Sequence, residues 1–190
     1  MIDINCHSSI RLESNNGIVI YIDPFRIKGN PKDANIILIT HDHYDHYSLE
    51  DIEKVKNVDS QIFMLEPYEE TNFEDINIIS VPAFNDKKEY HPKEKNYVGY
   101  IITMDNEKYY ITGDTDHELY FGFDIDYLFI PIGGTFTFDV ESAAKYTNML
   151  CPRFVIPTHF GEIVGSIDDG QKFERLIKDD ISVLQKIKFE

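Results

Sequence analysis

The first third of the chain alternates apolar and polar positions in a way that is typical of β-strands. Ile10 and Leu12 precede a turn sequence at 14–17, and an apolar run at 18–22 follows it. The Asn-Gly pair in this turn is a strong hairpin signal, because both residues tolerate positive φ. The run at 36–39 is apolar at every position, which indicates a strand that is buried on both faces.

The rest of the chain interleaves helix and strand patterns. Ser48 and Asp139 each have the side chain of a helix N-cap and precede a helical pattern. Because helices that alternate with strands must cover a sheet, the pattern predicts a layered α/β sandwich in a single domain, residues 1–190. The predicted helices cover 49–55, 140–150 and a segment after Asp168 or Asp169, and further strands cover 62–65, 76–81, 97–104, 108–112, 127–132 and 154–156.

Charge narrows the class of partner. The 190 residues include 18 Lys+Arg and 34 Asp+Glu, a formal net charge of −16. This charge argues against binding to nucleic acid or to an anionic membrane, since both require clustered basic residues. No stretch approaches about 20 continuous apolar residues, and the start of the chain lacks the layout of a signal peptide. We therefore expect a cytoplasmic protein.

The densest group of chemically active side chains directly follows the strand at 36–39. It reads Thr-His-Asp-His-Tyr-Asp-His over 40–46. In an extended loop, His41, His43 and Asp45 would point the same way, with His46 on the other side of Asp45. Imidazole and carboxylate suit zinc, manganese or iron, and the absence of thiolates argues against a closed structural zinc site. One loop is therefore expected to supply ligands to two adjacent metal ions.

Two further segments occupy comparable places just past strands. Gly-Asp-Thr-Asp, containing Asp114, follows the strand at 108–112, and Thr-His-Phe-Gly, containing His159, follows the strand at 154–156. Three strand ends that each present a ligand are a common way for a sheet protein to assemble one site from distant parts of the chain. Asp114 or His159 alone would be an ordinary turn or loop residue, and their significance comes from the group.

Together these motifs resemble the metallo-β-lactamase-fold hydrolase superfamily. The His-x-His-x-Asp-His element at 41–46, the Gly-Asp at 113–114 and the Thr-His at 158–159 occur in the family's order and span most of the chain. Three smaller segments narrow the resemblance to the branch that contains ascorbate-phosphate lactonase. These are Cys-His-Ser-Ser at 6–9, expected in the first strand, Asp-Pro-Phe at 23–25, and Ile-Gly-Gly-Thr at 132–135.

The resemblance implies a four-layer αβ/βα sandwich with a dinuclear centre at one edge of its two sheets. A hydroxide between two divalent ions would be the nucleophile, and Asp45 and Asp114 would orient the water or take its proton. Zinc is expected first, with manganese or iron as alternatives. The implied ligands are His41 and His43 for the first metal, Asp45, His46 and His159 for the second, and Asp114 as the bridge.

One position departs from the family pattern. The superfamily usually has a further His ligand for the first metal soon after a strand such as 76–81, and here Asn85 occupies that place. His91 follows six residues later in a His-Pro-Lys segment. Either His91 completes the first metal site, which we favour, or that metal is held by fewer ligands. Asn85 could instead hydrogen-bond a ligand or the bound water.

Other residues are candidates for the surroundings of the site. His7 is expected either to pack in the core or to support a ligand as a neighbour. Gly133 and Gly134 could present backbone N–H groups to a substrate anion, although a tight turn is the more frequent role of such a pair.

These expectations lead to one main hypothesis and one alternative. The main hypothesis is a metal-dependent hydrolase acting on a small ester, lactone, amide or phosphoester, including anionic metabolites that reach the metals. The alternative is a non-catalytic metal- or ligand-binding module on the same fold, which the Asn85 substitution supports. The substrate and the oligomeric state do not follow from the sequence.

Overall fold

Two β-sheets divide the chain between them. The first unit contains Met1–Leu65 together with residues at the C-terminal end, and the second contains Glu66–Gln185. The computed structural model describes residues 1–187 and residue 189.

The sheet of the first unit has five strands in sequence order. Strands β1 to β3 are antiparallel, and β3 to β5 are parallel. The hairpin predicted around 14–17 is therefore confirmed as β2 and β3, and the apolar run at 36–39 forms the fully buried β4. The strands are β1 (Ile2–Ile4), β2 (Ile10–Glu13), β3 (Val19–Ile22), β4 (Ile36–Leu38) and β5 (Gln61–Phe63).

Helix α1, Leu49–Val55, packs its apolar side chains in one cluster with this sheet. Ile52 and Val55 are buried together with Tyr21 of β3 and Ile37 of β4. The predicted N-cap is confirmed, because the Ser48 side chain accepts a hydrogen bond from the backbone N–H of Asp51. The helix fixes the far end of the connection that leaves β4, which is the connection that carries the histidine-rich loop.

The sheet of the second unit has seven strands in the order β12-β11-β10-β9-β8-β7-β6. Strands β6 to β9 form an antiparallel meander, and β9 to β12 are parallel. A turn at 105–106 joins β8 to β9, and both of its residues have positive φ. The strands are β6 (Glu70–Phe73), β7 (Ile76–Pro82), β8 (Val98–Met104), β9 (Glu107–Ile111), β10 (Tyr127–Pro131), β11 (Phe154–Thr158) and β12 (Ser182–Val183).

Two α-helices and one short 3-10 helix, Lys93–Lys95, belong to the second unit. Helix α2, Val140–Leu150, begins at a capping box in which Asp139 and Ser142 exchange side-chain and backbone hydrogen bonds. Helix α3, Asp169–Glu174, follows Asp168 as predicted, although that side chain makes no capping hydrogen bond. No helix in the described part of the chain is long and apolar enough to cross a membrane.

The structure corrects three local predictions. Residues 6–9 form a turn between β1 and β2 and not a strand, because the N–H of Ser9 donates to Cys6 and His7 adopts φ 50°. The strand expected at 62–65 is shorter and begins at Gln61. Strands β6 and β12 were not predicted, since β6 is largely polar and β12 has only two residues.

Strand direction places the chemically active residues of each unit at one sheet edge. In the first unit β1, β3 and β4 run the same way, and His7, Asp23 and His41 follow their carboxyl ends. In the second unit β7, β9, β10 and β11 share one direction, so the segments that follow them lie at the same edge of the sheet.

Candidate metal centre

The histidine-rich loop of the first unit is curled and not extended. The N–H groups of His46 and Tyr47 both donate to the carbonyl of His43, which makes a turn after that residue. The expectation that alternate residues of an extended loop share a direction is therefore wrong here. The turn brings the rings of His41 and His46 to within 4.0 Å of each other, centroid to centroid.

A buried carboxylate, Asp23, orients His46. The Nδ1 atom of His46 lies 2.7 Å from Asp23 Oδ2, and both side chains are almost completely buried. Because an ionised carboxylate only accepts hydrogen bonds, this contact assigns the proton to Nδ1. The Nε2 lone pair of His46 is thereby left for a metal, the arrangement in which a carboxylate supports a ligating imidazole.

The same carboxylate reaches His41 through a hydroxyl group. Thr40 Oγ1 donates to Asp23 Oδ2 at 2.6 Å and lies 2.9 Å from His41 Nδ1. Since the only hydroxyl proton is given to the carboxylate, Thr40 must accept from His41 Nδ1–H. Asp23 also accepts from the backbone N–H of Thr40 at 2.8 Å. One side chain therefore sets the protonated nitrogen of two histidines.

The next pair of nitrogens fits a metal ion. His41 Nε2 lies 3.1 Å from His43 Nδ1. Two imidazole nitrogens bound to one tetrahedral zinc at 2.0–2.1 Å would be about 3.4 Å apart, so the observed separation is close to that of a shared ligand edge. The described loop contributes nitrogen and oxygen donors and no thiolate, which fits a catalytic metal better than a structural one.

His7 joins the group at Asp45. Its Nε2 lies 3.2 Å from Asp45 Oδ2, and the imidazole is fully buried. His46 Nε2 lies 4.0 Å from the same oxygen. One donor atom from each of His7, Asp45 and His46 lies within 4.8 Å of the others, close enough to hold one metal ion. We refer to His7, Asp23, His41, His43, Asp45 and His46 as the first cluster.

In the second unit, two histidines approach the carboxylate of Asp114. His159 Nε2 lies 3.0 Å from Asp114 Oδ2, and His91 Nε2 lies 3.5 Å from the same atom. All three side chains are buried. Asp114 follows β9 and His159 follows β11, and these strands flank β10 in the sheet, so the topology brings the residues together. We refer to Asn85, His91, Asp114 and His159 as the second cluster.

Asn85 and His91, the two candidates for the ligand position after β7, have different surroundings. His91 Nδ1 lies 3.1 Å from the carbonyl of Phe136, which makes Nδ1 the donor and leaves Nε2 toward Asp114. Asn85 donates its amide to the carbonyls of Tyr90 and Phe136, at 2.7 Å each. The contacts therefore give His91 the orientation of a ligand and Asn85 the role of a support for its loop. The ligand assignment itself stays a prediction.

Gly133 allows the backbone of His159 to come close. A Cβ atom at Gly133 would lie 2.2 Å from the carbonyl oxygen of His159, far inside any normal contact. Gly134 has φ 81°, and its N–H donates to Phe138, so this N–H is already engaged within the loop. These contacts show the two glycines shaping a tight turn against His159.

Four cluster residues have left-handed backbone conformations. His7, Asp23, His91 and His159 have φ between 49° and 56°. Residues other than glycine adopt this region uncommonly, at a cost of order 1 kcal/mol or more, and only where the surroundings determine the conformation strongly. Such residues occur at functional sites and in turns, and seven further non-glycine residues of the described chain share this conformation outside the clusters.

Three residues that belong to these clusters or orient their side chains were not singled out as site residues from the sequence. They are Asp23, Thr40 and Phe136, of which the last contributes only its carbonyl oxygen. Asp23 had a usable signal, because it directly follows an apolar strand and precedes a proline. A backbone acceptor such as Phe136 has no residue-type signal, since every residue carries a carbonyl group.

Comparison with known proteins places the chain in a family. Residues 2–159 match the family model described as the beta-lactamase superfamily domain. The chain belongs to this superfamily. A UPF0173 metal-dependent hydrolase of Pyrococcus furiosus is 32% identical over 214 residues, covering 94% of this chain and 92% of that protein. The superfamily predicted from the three motifs is thus confirmed.

Two solved structures have a similar fold. A protein from Parabacteroides distasonis, named as a candidate metal-dependent hydrolase, is 29% identical with a TM-score of 0.85, covering 98% of this chain and 93% of that one. A candidate Zn-dependent hydrolase of the metallo-beta-lactamase superfamily from Thermotoga maritima has a TM-score of 0.72 at 20% identity, covering 96% of each chain. The predicted fold class, α/β of the metallo-β-lactamase fold, is confirmed, and the structure has two sheets and few helices.

Proposed function

We propose that this superfamily member is a metal-dependent hydrolase that binds two divalent ions and acts on a small ester, lactone, amide or phosphoester. One observation carries the proposal. In each unit, imidazole Nε2 atoms gather at one buried aspartate, His7 and His46 at Asp45, and His91 and His159 at Asp114. Histidine and carboxylate donors of this kind suit catalytic zinc, and manganese or iron are the alternatives.

The proposed ligand set is the one that the resemblance implies. Its support in the structure is the orientation of the donors: Asp23 and Thr40 turn His41 and His46 so that Nε2 is the ligating atom, and Phe136 does the same for His91. In that set His41, His43 and His91 would hold one ion, Asp45, His46 and His159 would hold the other, and Asp114 would contribute to both.

The side chains have distinct tasks in hydrolysis. A bound divalent ion lowers the pKa of a water ligand from about 15.7 to near 7 and polarises the electrophile. Asp45 and Asp114 would orient the attacking water or take its proton, and each carboxylate lies close to an imidazole, Asp45 Oδ2 at 3.2 Å from His7 Nε2 and Asp114 Oδ2 at 3.0 Å from His159 Nε2. Burial of both carboxylates limits competing bulk water and strengthens these interactions.

The charge of the chain supports a small substrate over a large one. With a net charge of −16, the surface repels long polyanions, so we propose no nucleic-acid and no membrane partner. Two divalent ions and two aspartates give a local charge of about +2, which attracts a small anionic metabolite. A cytoplasmic location and the narrower relation to ascorbate-phosphate lactonase remain parts of this proposal.

The test is hydrolysis of a generic phosphodiester and a generic lactone by protein loaded with zinc or manganese. We expect turnover by the parent and at least a 100-fold loss in Asp114→Asn and His41→Ala, since each removes a ligand. Asp124→Asn is the matched control, because Asp124 is exposed in the same unit as Asp114. Metal-loaded parent that hydrolyses no compound of either class would favour the non-catalytic binding module.

A further inference from the structure

The loop that carries His91 is attached to a second loop by side chains that donate to backbone carbonyls. Lys88 Nζ donates to the carbonyls of Gly134 and Thr137. Between these two acceptors, the carbonyl of Phe136 accepts from Asn85 and His91. Three donor side chains of one loop, Asn85, Lys88 and His91, therefore engage carbonyls of the 134–137 segment, which lies between β10 and α2.

The His91 loop is also closed on itself at its base. The backbone N–H of Asn85 donates to the carbonyl of His91 at 2.9 Å, and the Asn85 amide donates to the neighbouring carbonyl of Tyr90. The ring of Tyr90 makes an edge contact with the ring of Phe136, 4.5 Å between centroids. The two ends of the loop are thus joined, and Lys88 lies at the middle of the loop in sequence.

The ammonium group of Lys88 is partly withdrawn from water. Burial lowers the pKa of Lys88 from its usual value, and the nearby carboxylates of Asp116 and Asp139 counter this effect in part. The two carbonyl oxygens therefore replace water as its hydrogen-bond partners. Hydrogen bonds from a charged donor are roughly twice as strong as neutral ones, so Lys88 is a strong attachment for an otherwise polar, surface-exposed loop.

We propose that Lys88 is a positioning residue that attaches the 85–91 loop to the 134–137 segment and thereby presents His91 Nε2 to a metal ion. A free ligand loop would have to be ordered each time the ion binds, and this cost would lower the affinity. Attachment by Lys88 meets that cost during folding. The proposal rests on His91 being a ligand, as stated under the proposed function.

The experiment measures zinc affinity of the full-length protein by competition with a chromophoric chelator. The variants are Lys88→Met, Lys88→Arg, His91→Ala and, as matched control, Lys87→Met, because Lys87 is the exposed neighbour of Lys88. Amide hydrogen exchange of Asn85, whose N–H closes the loop, is followed in the same samples. We expect Lys88→Met to raise the Kd of one zinc equivalent about 10- to 100-fold, as loss of a supporting contact does.

The outcomes separate the two proposals. Weakening of one equivalent in Lys88→Met and His91→Ala, partial recovery in Lys88→Arg and parent-like binding in Lys87→Met support the positioning role, with faster exchange at Asn85 in Lys88→Met. Parent-like zinc binding by Lys88→Met, while His91→Ala has lost an equivalent, overturns the role of Lys88 alone. Parent-like binding by His91→Ala overturns the ligand assignment and the positioning role with it. If Lys88→Met does not fold, Lys88→Gln replaces it, because glutamine lacks the charge and the length of lysine. Zinc affinity and Asn85 exchange that match the parent in Lys88→Gln would then overturn the positioning role.

Discussion

The first and second clusters present similar donors but are built in different ways. In the first, four of the six residues lie within 41–46, and their arrangement is set by one turn and one buried carboxylate. In the second, Asn85, His91, Asp114 and His159 come from three segments that lie far apart in the chain. The first cluster is therefore mainly a product of local structure, and the second is a product of sheet topology and of contacts between loops.

This difference predicts where each cluster is vulnerable. The first should respond to changes in the hydrogen bonds of Asp23, because that residue connects His41 and His46. The second cluster should respond to changes in packing between neighbouring strand ends. Asp114 and His159 follow different strands, so packing alone keeps them together. Substitutions that alter either the Asp23 hydrogen bonds or the packing between strand ends can therefore distinguish how the two clusters are held.

The largest effect is expected from Gly133→Ala in the second cluster. The added Cβ would meet the carbonyl of His159 at 2.2 Å and Val164 Cγ2 at 2.6 Å, so His159 must move. We expect a loss of about 2–3 kcal/mol in the free energy of unfolding, in the upper range for overpacking because one contact is backbone. Urea unfolding measures it, and zinc binding should weaken in parallel.

Gly122→Ala is the matched control for this substitution, because nothing lies within 4 Å of a Cβ at Gly122. It should leave the unfolding free energy within about 0.5 kcal/mol of the parent. If Gly133→Ala is as stable as Gly122→Ala and binds zinc normally, the close approach of the 133 loop to His159 does not matter to the second cluster.

The next effect is expected from Asp23→Asn in the first cluster. The carboxylate accepts from the Thr40 N–H, the Thr40 hydroxyl and His46 Nδ1. An amide has one oxygen acceptor, so its NH2 group would face a donor and at least one hydrogen bond would be lost. We expect a 10- to 100-fold weaker zinc affinity, and nitrogen NMR of the histidine rings should show His46 no longer restricted to the Nδ1–H form.

Thr40→Val tests which histidine depends on the hydroxyl. It removes the connection to His41 and keeps the direct contact between Asp23 and His46, so only the His41 ring signals should change. Asp33→Asn, an exposed aspartate of the same unit, controls for the change of charge. Unaltered ring signals and zinc affinity in Asp23→Asn would show that the carboxylate does not orient the first cluster.

The contrast between the clusters also explains which site residues could be predicted from the sequence. The 41–46 motif was recognisable because its residues are contiguous, whereas Asp114 and His159 were recognised because each follows a predicted strand and accompanies that motif. The orientations of Asn85 and His91 depend on hydrogen bonds to the carbonyl of Phe136, which residue type does not reveal. His7 was expected on a strand because apolar residues alternate on either side of it, Ile4 and Cys6 before and Ile10 and Leu12 after.

The smallest effect concerns Asp51, whose carboxylate accepts hydrogen bonds from the backbone N–H groups of Arg26 and Ile27 in the first unit. Burial raises the pKa of this carboxyl, but hydrogen bonds from Lys54 and Ser48 lower it, and so do those from the N–H groups of Ile27 and Arg26. The net pKa lies below the usual value of 3.8. Its contribution to stability is therefore complete above the unfolded-state pKa and is lost as the pH falls through the folded-state pKa.

We expect the free energy of unfolding to fall more steeply below about pH 4 in the parent than in Asp51→Asn. Urea unfolding at a series of pH values measures this slope. Zinc affinity at neutral pH should be unchanged in Asp51→Asn, because Asp51 is not among the proposed ligands. Parallel pH slopes for the two proteins would show that Asp51 carries no linked stability.

The proposal that the chain binds two metal ions is tested most directly by metal analysis. The samples are protein purified without chelators and protein reconstituted with zinc or manganese. We predict two ions per chain in the parent, and fewer in His41→Ala, which alters the first cluster, and in Asp114→Asn, which alters the second. A parent chain that retains no metal after reconstitution with either ion would contradict the account.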